Sequence, residues 1–393
     1  MWGTTRRGGS CYVRCVTQGT DTQQRLERLV QAGVTIPDPR TTYVAPEVDL
    51  ARIRPGAILH PGARIEGARA LLAEGAEVGR CGPAVVRDSA LGPGARVDGG
   101  CVEGSVLFDR AVVGPASYVR PASLLEEEAS VAHAVGLKHT ILLPFVTVGS
   151  VVNFCDVLMA GGTSRRDHSE VGSGFIHFNF TPWGQHGDKA TPTLFGDVPR
   201  GVFLRSPRIF VGGAGGLVGP GQVGYGAVTG AGQVVRSEVA PHTLHIEASR
   251  SRRVDLGSRP APPLQPKAGR NLRYIAHLVA LRAFHRHVRC PRAEGVGRQL
   301  VEAALGVLDA AIAERVRRLE AFCTERGGPA VTIDTDPPVD PCPLPLGRGP
   351  GEHVAWIRAL SDDEVRAGTR WLEAVVARVL ASASPALRPS AGP

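Results

Sequence analysis

A six-residue repeat of aliphatic side chains runs through the middle of this 393-residue chain and constrains its fold more than any other feature. Aliphatic residues recur at Ile53, Leu59 and Ile65, and Gly, Pro or another small residue fills many of the positions between them. The same spacing returns later in the chain, at Val211, Leu217, Val223, Thr229 and Val235. A fixed short period of this kind is typical of solenoids, in which each coil covers the apolar residues of its neighbour.

Three six-residue faces make one turn of a triangular coil, with the aliphatic side chains inside and small residues at the corners. A flexible Gly-rich segment would not keep its aliphatic residues in phase, and a collagen helix requires Gly at every third position. We therefore predict a mainly β fold over residues 46–249, a left-handed parallel β-helix of hexapeptide repeats. The phase slips near residues 71–87, where we expect an outward loop.

The segments on either side of the repeat have helical patterns. Residues 1–45 form an N-terminal segment in which residues 20–33 predict a short amphipathic helix. Residues 250–268 are rich in Pro, Ser and Arg and predict a basic linker. Apolar residues spaced at 3.6 residues then predict a C-terminal helical domain over residues 269–393, with a long loop at residues 327–351.

The net charge of +8 is concentrated in one segment. Residues 250–292 hold eleven basic residues and one acid, which gives +10 and leaves about −2 for the rest of the chain. The repeat itself is not basic, so we do not expect a nucleic-acid partner. Eight Cys residues include no CxxC pair, and the N-terminus has no signal-like apolar core, which predicts a cytoplasmic protein without disulfides. No apolar run is long enough to predict a membrane span.

Two motifs carry a resemblance to a known family. Residues 114–121 read G-P-A-S-Y-V-R-P, and residues 135–140 read V-G-L-K-H-T. They resemble the G-P-x-x-x-x-R-P and V-x-V-K-x-S/T motifs in the acetyltransferase half of the bifunctional glucosamine-1-phosphate acetyltransferase / N-acetylglucosamine-1-phosphate uridyltransferases. The resemblance covers residues 29–246. It implies a hexapeptide-repeat acyltransferase of the UDP-N-acetylglucosamine pathway that uses acetyl-CoA as cosubstrate and assembles as a homotrimer.

The resemblance also implies a set of site residues. Arg120 and Lys138 match the residues that hold the phosphate of the sugar substrate, for which a guanidinium fork and an ammonium point charge are suited. Asn153 falls where the family has a substrate-contacting Tyr, and Asn179 and Lys189 match a loop that covers the acceptor and acetyl-CoA. The coils predicted to line the cofactor contribute Gly213, Gly230, Ala231 and Arg236. The Gly-rich loop of the family's uridyltransferase half is not found, so we expect no uridylyl transfer.

The family's general base, a His, has no counterpart at its matching position. That position falls on Ser150 in one alignment and on Gly162 in another. Acyl transfer to an amine needs a base near neutral pH, and His suits this role best. We expect His168 or His177 to act as the catalytic base, and the further candidates are His139 and His186.

Three functions therefore remain open from the sequence. The first is acyl transfer from CoA to an amino-sugar phosphate or a nucleotide sugar. The second is a non-catalytic or regulatory protein that binds a sugar nucleotide and has lost the base. The third is a γ-carbonic-anhydrase-like metal enzyme with Asp167, His168, His177 and His186 as ligands. Their spacing is not diagnostic of a metal site, so we assign no metal ligands.

Overall fold

The computed structural model describes residues 11–179, 189–247, 264–347, 349 and 351–388, with backbone alone for residues 11–20. Short parallel strands wind around a triangular coil whose three faces follow one another in each turn. The first face is a sheet of ten strands: β2 Ile58–Leu59, β5 Glu77–Val78, β8 Arg96–Val97, β11 Val112–Val113, β14 Ser130–Val131, β16 Thr147–Val148, β18 Glu170–Val171, β21 Phe210–Val211, β24 Val228–Thr229 and β26 Leu244–His245.

The second and third faces are joined by two long strands that bend around the corner between them. The second face contains β1 Tyr43–Val44, β3 Ala63–Glu66, β6 Ala84–Arg87, β9 Gly100–Glu103, β12 Ser117–Val119, β15 Gly136–Leu142, β17 Asn153–Met159, β19 Ile176–Phe178, β22 Gly216–Val218 and β25 Val234–Val235. The third face contains β4 Leu71–Leu72, β7 Ala90–Leu91, β10 Val106–Leu107, β13 Leu124–Leu125, the ends of β15 and β17, β20 Thr193–Phe195 and β23 Gly221–Val223. The predicted fold class, a left-handed parallel β-helix with C-terminal helices, is confirmed.

The repeat positions named from the sequence form the interior of the coil. Ile53, Leu59 and Ile65 are 2%, 0% and 0% exposed, and the equivalent aliphatic residues of later turns stack on them. Burial of one such side chain contributes about 1.5–3 kcal/mol. Since every turn adds several of them, stability accumulates along the coil.

Many corners of the coil turn through a residue with positive φ. We call the corner between the first and second faces the first corner, the next one the second corner, and the one between the third and first faces the third corner. Non-glycine residues with positive φ include Ala116, Ala134, Val151 and Ala214 at the first corner, Asp88, Ala122, His139 and Asp156 at the second, and Arg110, Glu128, Phe145 and His242 at the third. Near the predicted phase slip the first corner extends over residues 79–83, as a short turn rather than a long loop.

The helices pack against the ends and one side of the coil. The first, α1 Cys11–Gln31, begins earlier than predicted and buries Leu26 and Leu29. The other helices are α2 Val198–Gly201, α3 Leu264–Phe284, α4 Cys290–Arg292, α5 Gly295–Glu325, α6 His353–Ala359 and α7 Asp362–Ser382, with a π-helical turn at His285–Arg289 and 3₁₀ turns at Leu50–Arg52 and Pro385–Leu387. Helix α5 lies over β7 and β10 of the third face. The buried apolar residues of coil and helices form one continuous core.

Residues 248–263, most of the predicted basic linker, lie outside the described residues, and α3 begins at Leu264 within the remaining part of it. Of the helices that the structure describes, none has the length and apolar character needed to cross a membrane.

Candidate functional site

We call the part of one face that belongs to a single turn of the coil a rung. The two predicted phosphate-binding cations lie on successive rungs of the second face. Arg120 follows β12 and Lys138 lies in β15, and the register pairs Val119 with Leu137 immediately before them. Neighbouring parallel strands lie about 4.8 Å apart, so the two side chains leave the coil next to each other. On the following rung, Lys138 is paired with Cys155, whose sulfur is 3.6 Å from Arg120 Nη2.

Asn153 shares the face with both cations. The register aligns Tyr118, Gly136 and Asn153 on three successive rungs, and Asn153 is exposed. Gly136 has no side chain, so a shallow gap separates the exposed Tyr118 ring from the Asn153 amide. Arg120, Lys138 and Asn153, which were predicted to bind substrate, are therefore brought together on one surface.

The charges around this surface leave the two cations available. Towards the start of the coil, Arg87 is 2.7 Å from Glu66, and the Tyr118 hydroxyl donates to Glu103 Oε2 at 3.3 Å. Within the described part of the chain, neither Arg120 nor Lys138 forms an ion pair with a carboxylate. Burial, reinforced by the neighbouring Asp156 carboxylate, raises the pKa of the Cys155 thiol, so Cys155 adds no negative charge at neutral pH.

The first corner carries a histidine that sequence matching missed. Ser150 occupies the position at which the family resemblance expects the base, and its Oγ is 2.8 Å from Nδ1 of His133 on the preceding rung. Both residues are at the exposed corner, and Val151 N donates to His133 O at 3.0 Å. The stacking of rungs 17 residues apart is the signal that would have found His133, since alignment to one family position tests only that position.

The same corner leads to the residues predicted to line the cofactor. Ala214 N donates to Ser173 O at 2.7 Å, and Gly232 N donates to Gly213 O at 2.9 Å. Gly213, Gly230 and Ala231 therefore continue the corner that holds His133 and Ser150.

The remaining predicted binding residues are farther apart. Arg236 follows β25 at the far end of the second face and is exposed. Asn179 directly follows β19 on the same face, beside the exposed Phe178 ring. Lys189 is exposed near α5, where its carbonyl accepts from Arg315 Nη1 at 3.4 Å. Residues 180–188, with His186, lie outside the described residues.

His177, one of the two predicted catalytic bases, lies inside the coil. It is aligned with the core residue Leu217 and is 3% exposed. Its Nε2 is 2.9 Å from Thr193 Oγ1, and burial lowers its pKa to about 4. The structure thus places a neutral imidazole in the core, away from the surface that carries Arg120 and Lys138.

His168, the other predicted base, lies in the segment between β17 and β18 that crosses the third corner. Its Nδ1 is 2.9 Å from the Arg165 carbonyl, and its Nε2 is 3.9 Å from Glu170. Burial, together with the Arg165 charge, lowers its pKa. The third corner is opposite the second face, so a single chain does not bring His168 to Arg120 and Lys138.

The arrangement of these histidines bears on the metal hypothesis. Of the residues that the structure describes, no three His, Cys, Asp or Glu side chains are grouped to hold a metal ion. Asp167 and His168 are at the third corner, and His177 is in the core.

Comparison with known proteins adds sequence relatives to this geometry. No family model matches the chain. It is 32% identical to the bifunctional protein GlmU of Clavibacter sepedonicus over 257 residues, which is 65% of this chain and 47% of that protein. It is 30% identical to the GlmU of Streptomyces avermitilis over 230 residues, 58% of this chain and 42% of that protein.

Two solved structures are weakly similar to this chain, with TM-scores too low to support any argument about its fold. LpxA from Acinetobacter baumannii has 15% identity and a TM-score of 0.17, over 55% of this chain and 70% of that one. A UDP-N-acetylglucosamine acyltransferase from Campylobacter jejuni has 13% identity and a TM-score of 0.17, over 49% of this chain and 70% of that one. The resemblance found in the sequence is confirmed by the GlmU relatives, of whose length this chain spans a little under half.

Proposed function

We propose that this protein transfers an acetyl group from CoA to an amino-sugar phosphate or a nucleotide sugar. The observation that carries the proposal is the pairing of two cations, Arg120 and Lys138, on adjacent rungs of a face whose first corner holds His133 and Ser150. The similarity to GlmU proteins over about three fifths of the chain supports it.

The cations account for recognition of a phosphate. A guanidinium can donate two parallel hydrogen bonds to phosphate oxygens, and the flexible ammonium of Lys138 adds a third contact from the next rung. The Asn153 amide and the Tyr118 hydroxyl lie beside them and offer donors and acceptors to sugar hydroxyls. An anionic sugar would therefore bind with its phosphate between Arg120, just after β12, and Lys138, near the start of β15.

His133 is the base in this proposal. Lys138 is five positions further along the chain, so their Cα atoms are at most about 17 Å apart. The two side chains can lean towards each other over the surface and leave room for one sugar phosphate between them. Donation from Nδ1–H to Ser150 Oγ leaves the Nε2 lone pair free to accept a proton.

The chemistry is a direct acyl transfer. The substrate amine attacks the thioester carbonyl, a C–N bond forms and the C–S bond breaks. His133 takes the proton from the amine and gives it to the departing sulfur, so CoA leaves as a thiol. Backbone N–H groups at the Gly-rich first corner are suited to stabilise the oxyanion. We further propose a cytoplasmic homotrimer, in which His168 could serve this site only from a neighbouring chain.

The test is release of CoA thiol from acetyl-CoA in the presence of amino-sugar phosphates and UDP-amino sugars. We expect His133→Gln to lower kcat by about 10²–10⁴-fold, the usual contribution of a general base. Arg120→Ala and Lys138→Ala should act mainly on KM, because they remove contacts to a phosphate that does not react. The matched controls are His242→Gln, an exposed corner histidine, and Arg96→Ala on the first face, which should retain full activity.

Each alternative has its own outcome. Full activity of His133→Gln with loss of activity in His168→Gln would move the base to His168. Calorimetric binding of acetyl-CoA without turnover of any acceptor would favour the non-catalytic protein. Stoichiometric zinc in the purified protein would favour the metal enzyme.

A further inference from the structure

A cleft of about 770 Å³ lies between α5 and the second corner of the coil, away from the first corner and its histidine. Its helical wall has a strip of small side chains, Ala303, Gly306, Val307, Ala310 and Ala313, with Gln299, Glu302, Glu314 and Arg317 beside it. The opposite wall comes from residues such as Val106 and Ala122 of the coil. The volume is in the range of small-molecule sites.

Gly306 faces open space in the cleft. It lies inside the 31-residue helix α5, where Gly costs about 0.5–1 kcal/mol relative to Ala. A Cβ at this position would meet no atom within 4 Å outside the local helix backbone, so packing does not require Gly here. A large side chain at this position would therefore extend into the cleft.

Most of the charged side chains that line the cleft already have a partner of opposite charge. Arg69 is 3.5 Å from Asp88, Glu302 is 2.9 Å from Arg298, and Glu314 is 2.9 Å from Arg318. Arg52 donates to the carbonyls of Ala70 and Arg69. A ligand of this cleft gains little from carrying a net charge.

His139 is the polar group that distinguishes the cleft. It turns the second corner with a φ of 47°, and it is one of the residues that line the cavity. Its Nδ1 is 3.2 Å from Asp156, which is 3% exposed and lies 3.0 Å from Arg315. Burial alone would raise the pKa of Asp156, but the hydrogen bond from His139 and the Arg315 charge hold that pKa below its usual range.

The tautomer of His139 follows from this chain of contacts. An ionised carboxylate can only accept, so Nδ1 must carry the hydrogen and donate it to Asp156. In the neutral ring Nε2 then has a free lone pair, on the side of the imidazole away from Asp156. The same arrangement orients imidazole bases in hydrolytic enzymes.

We propose that this cleft is a second ligand site, which takes an uncharged molecule with an apolar side and a hydroxyl group that donates to His139 Nε2. The inference goes beyond the acyl-transfer site and does not rest on it. Asp156 and Arg315 act as positioning residues, and His139 is the base that the ligand contacts.

The test uses diethyl pyrocarbonate, which modifies an unprotonated imidazole nitrogen, with peptide mass spectrometry on the full chain at pH 7. We expect His139 to react in the wild type although its side chain is only 14% exposed, with the exposed His242 as internal reference. Phenol is uncharged at this pH because its pKa is about 10, and it should protect His139 but not His242. Anisole, in which a methyl group replaces the hydroxyl hydrogen, should protect far less.

Filling the cleft provides the structural control. Gly306→Leu should slow modification of His139 by about tenfold or more, because the reagent must then wait for local opening, whereas Gly306→Ala should leave the rate unchanged. Ala310→Leu is the second filling variant, and both should retain acyl-transfer activity and thermal stability. An unreactive His139 in the wild type, equal protection by anisole, or a wild-type rate in both Leu variants would overturn the proposal.

Discussion

Glu127 is buried at the third corner, where the β-helix meets the C-terminal helices, and its ionisation should be visible in the stability of the whole protein. The side chain is 2% exposed and forms an ion pair with Arg289. Burial nevertheless raises its pKa to about 7 against the attraction of Arg289, and the carboxylates of Glu126 and Asp109 add to the increase. A single guanidinium does not offset the burial of several carboxylates around it.

The direction of the pH effect follows from this raised pKa. An unfolded chain loses the Glu127 proton near pH 4.5 and the folded chain near pH 7, so folded Glu127 holds more protons between these values. Stability from this group is fully present below pH 4.5 and is lost as pH rises towards and through 7. A shift of about 2.5 pH units at 1.36 kcal/mol each gives a total loss of about 3 kcal/mol.

Glu127→Gln isolates that loss, because Gln keeps the shape but cannot ionise. We expect the unfolding free energy of the variant, minus that of the wild type, to increase by about 3 kcal/mol from pH 4.5 to pH 8. Buried histidines such as His177 and His277, whose pKa values are lowered to about 4, give the opposite slope below pH 6.5. They are present in both chains, so their contribution cancels in the difference.

The measurement is urea unfolding followed by circular dichroism at a series of pH values. The control is Glu128→Gln, the next residue in the chain, whose partly exposed carboxylate pairs with Arg110 at 3.2 Å; its curve should run parallel to that of the wild type. A constant difference between Glu127→Gln and the wild type across this pH range would refute the reasoning. It would show that Glu127 stays ionised throughout and that Arg289 fully compensates for its burial.

Two further predictions concern the junction and the core. Arg315→Met should destabilise the protein by about 3–5 kcal/mol, because it leaves the buried Asp156 carboxylate without its cation. Arg318→Met on the same helix removes a more exposed ion pair and should cost at most about 1 kcal/mol. Equal unfolding midpoints of the two variants in urea would contradict this. Leu125 is fully buried on the third face, and Leu125→Ala should lower the free energy of unfolding by about 2–5 kcal/mol through the cavity it leaves. A decrease below about 1 kcal/mol in calorimetry would show that the coil closes around the gap.

The β-helix could be predicted from the sequence because its interior is set by a local, repeated pattern. Leu59 and Leu217 lie far apart in the chain but obey the same six-residue spacing, and both are buried. The period also explains why Arg120 and Lys138 share a face, since residues at equivalent positions of successive turns must stack. The fold and the cationic surface are therefore consequences of one pattern.

The catalytic histidine rests on a different kind of inference. The sequence favours His168 and His177, with Asp167 or Glu170 as the acid that would orient one of them. The structure puts the first at the third corner and the second in the core. The family match assigns no role to His133, although its turn of the coil stacks directly on that of Ser150. Both histidine assignments stay predictions for the assay to decide.

The basic segment at residues 250–292 shows why the contacts between the helices and the coil could not be predicted from the sequence. Taken alone, its excess charge indicates a solvated cationic surface. In the structure Arg289 is 5% exposed and pairs with Glu127 of the coil, and Arg282 pairs with Asp309 at 2.7 Å. Arg270 at the start of the helical region pairs with Glu238 of the coil at 2.8 Å.

These pairs join residues that are far apart in the chain and belong to no repeat, so no periodicity can reveal them. The acids come from two sources, because Glu127 and Glu238 belong to the coil whereas Asp309 belongs to α5. A buried pair of this kind stabilises little in itself but is costly to break, since either partner alone is a desolvated charge. Arg289 therefore acts as a constraint on where the helices sit against the third corner of the coil.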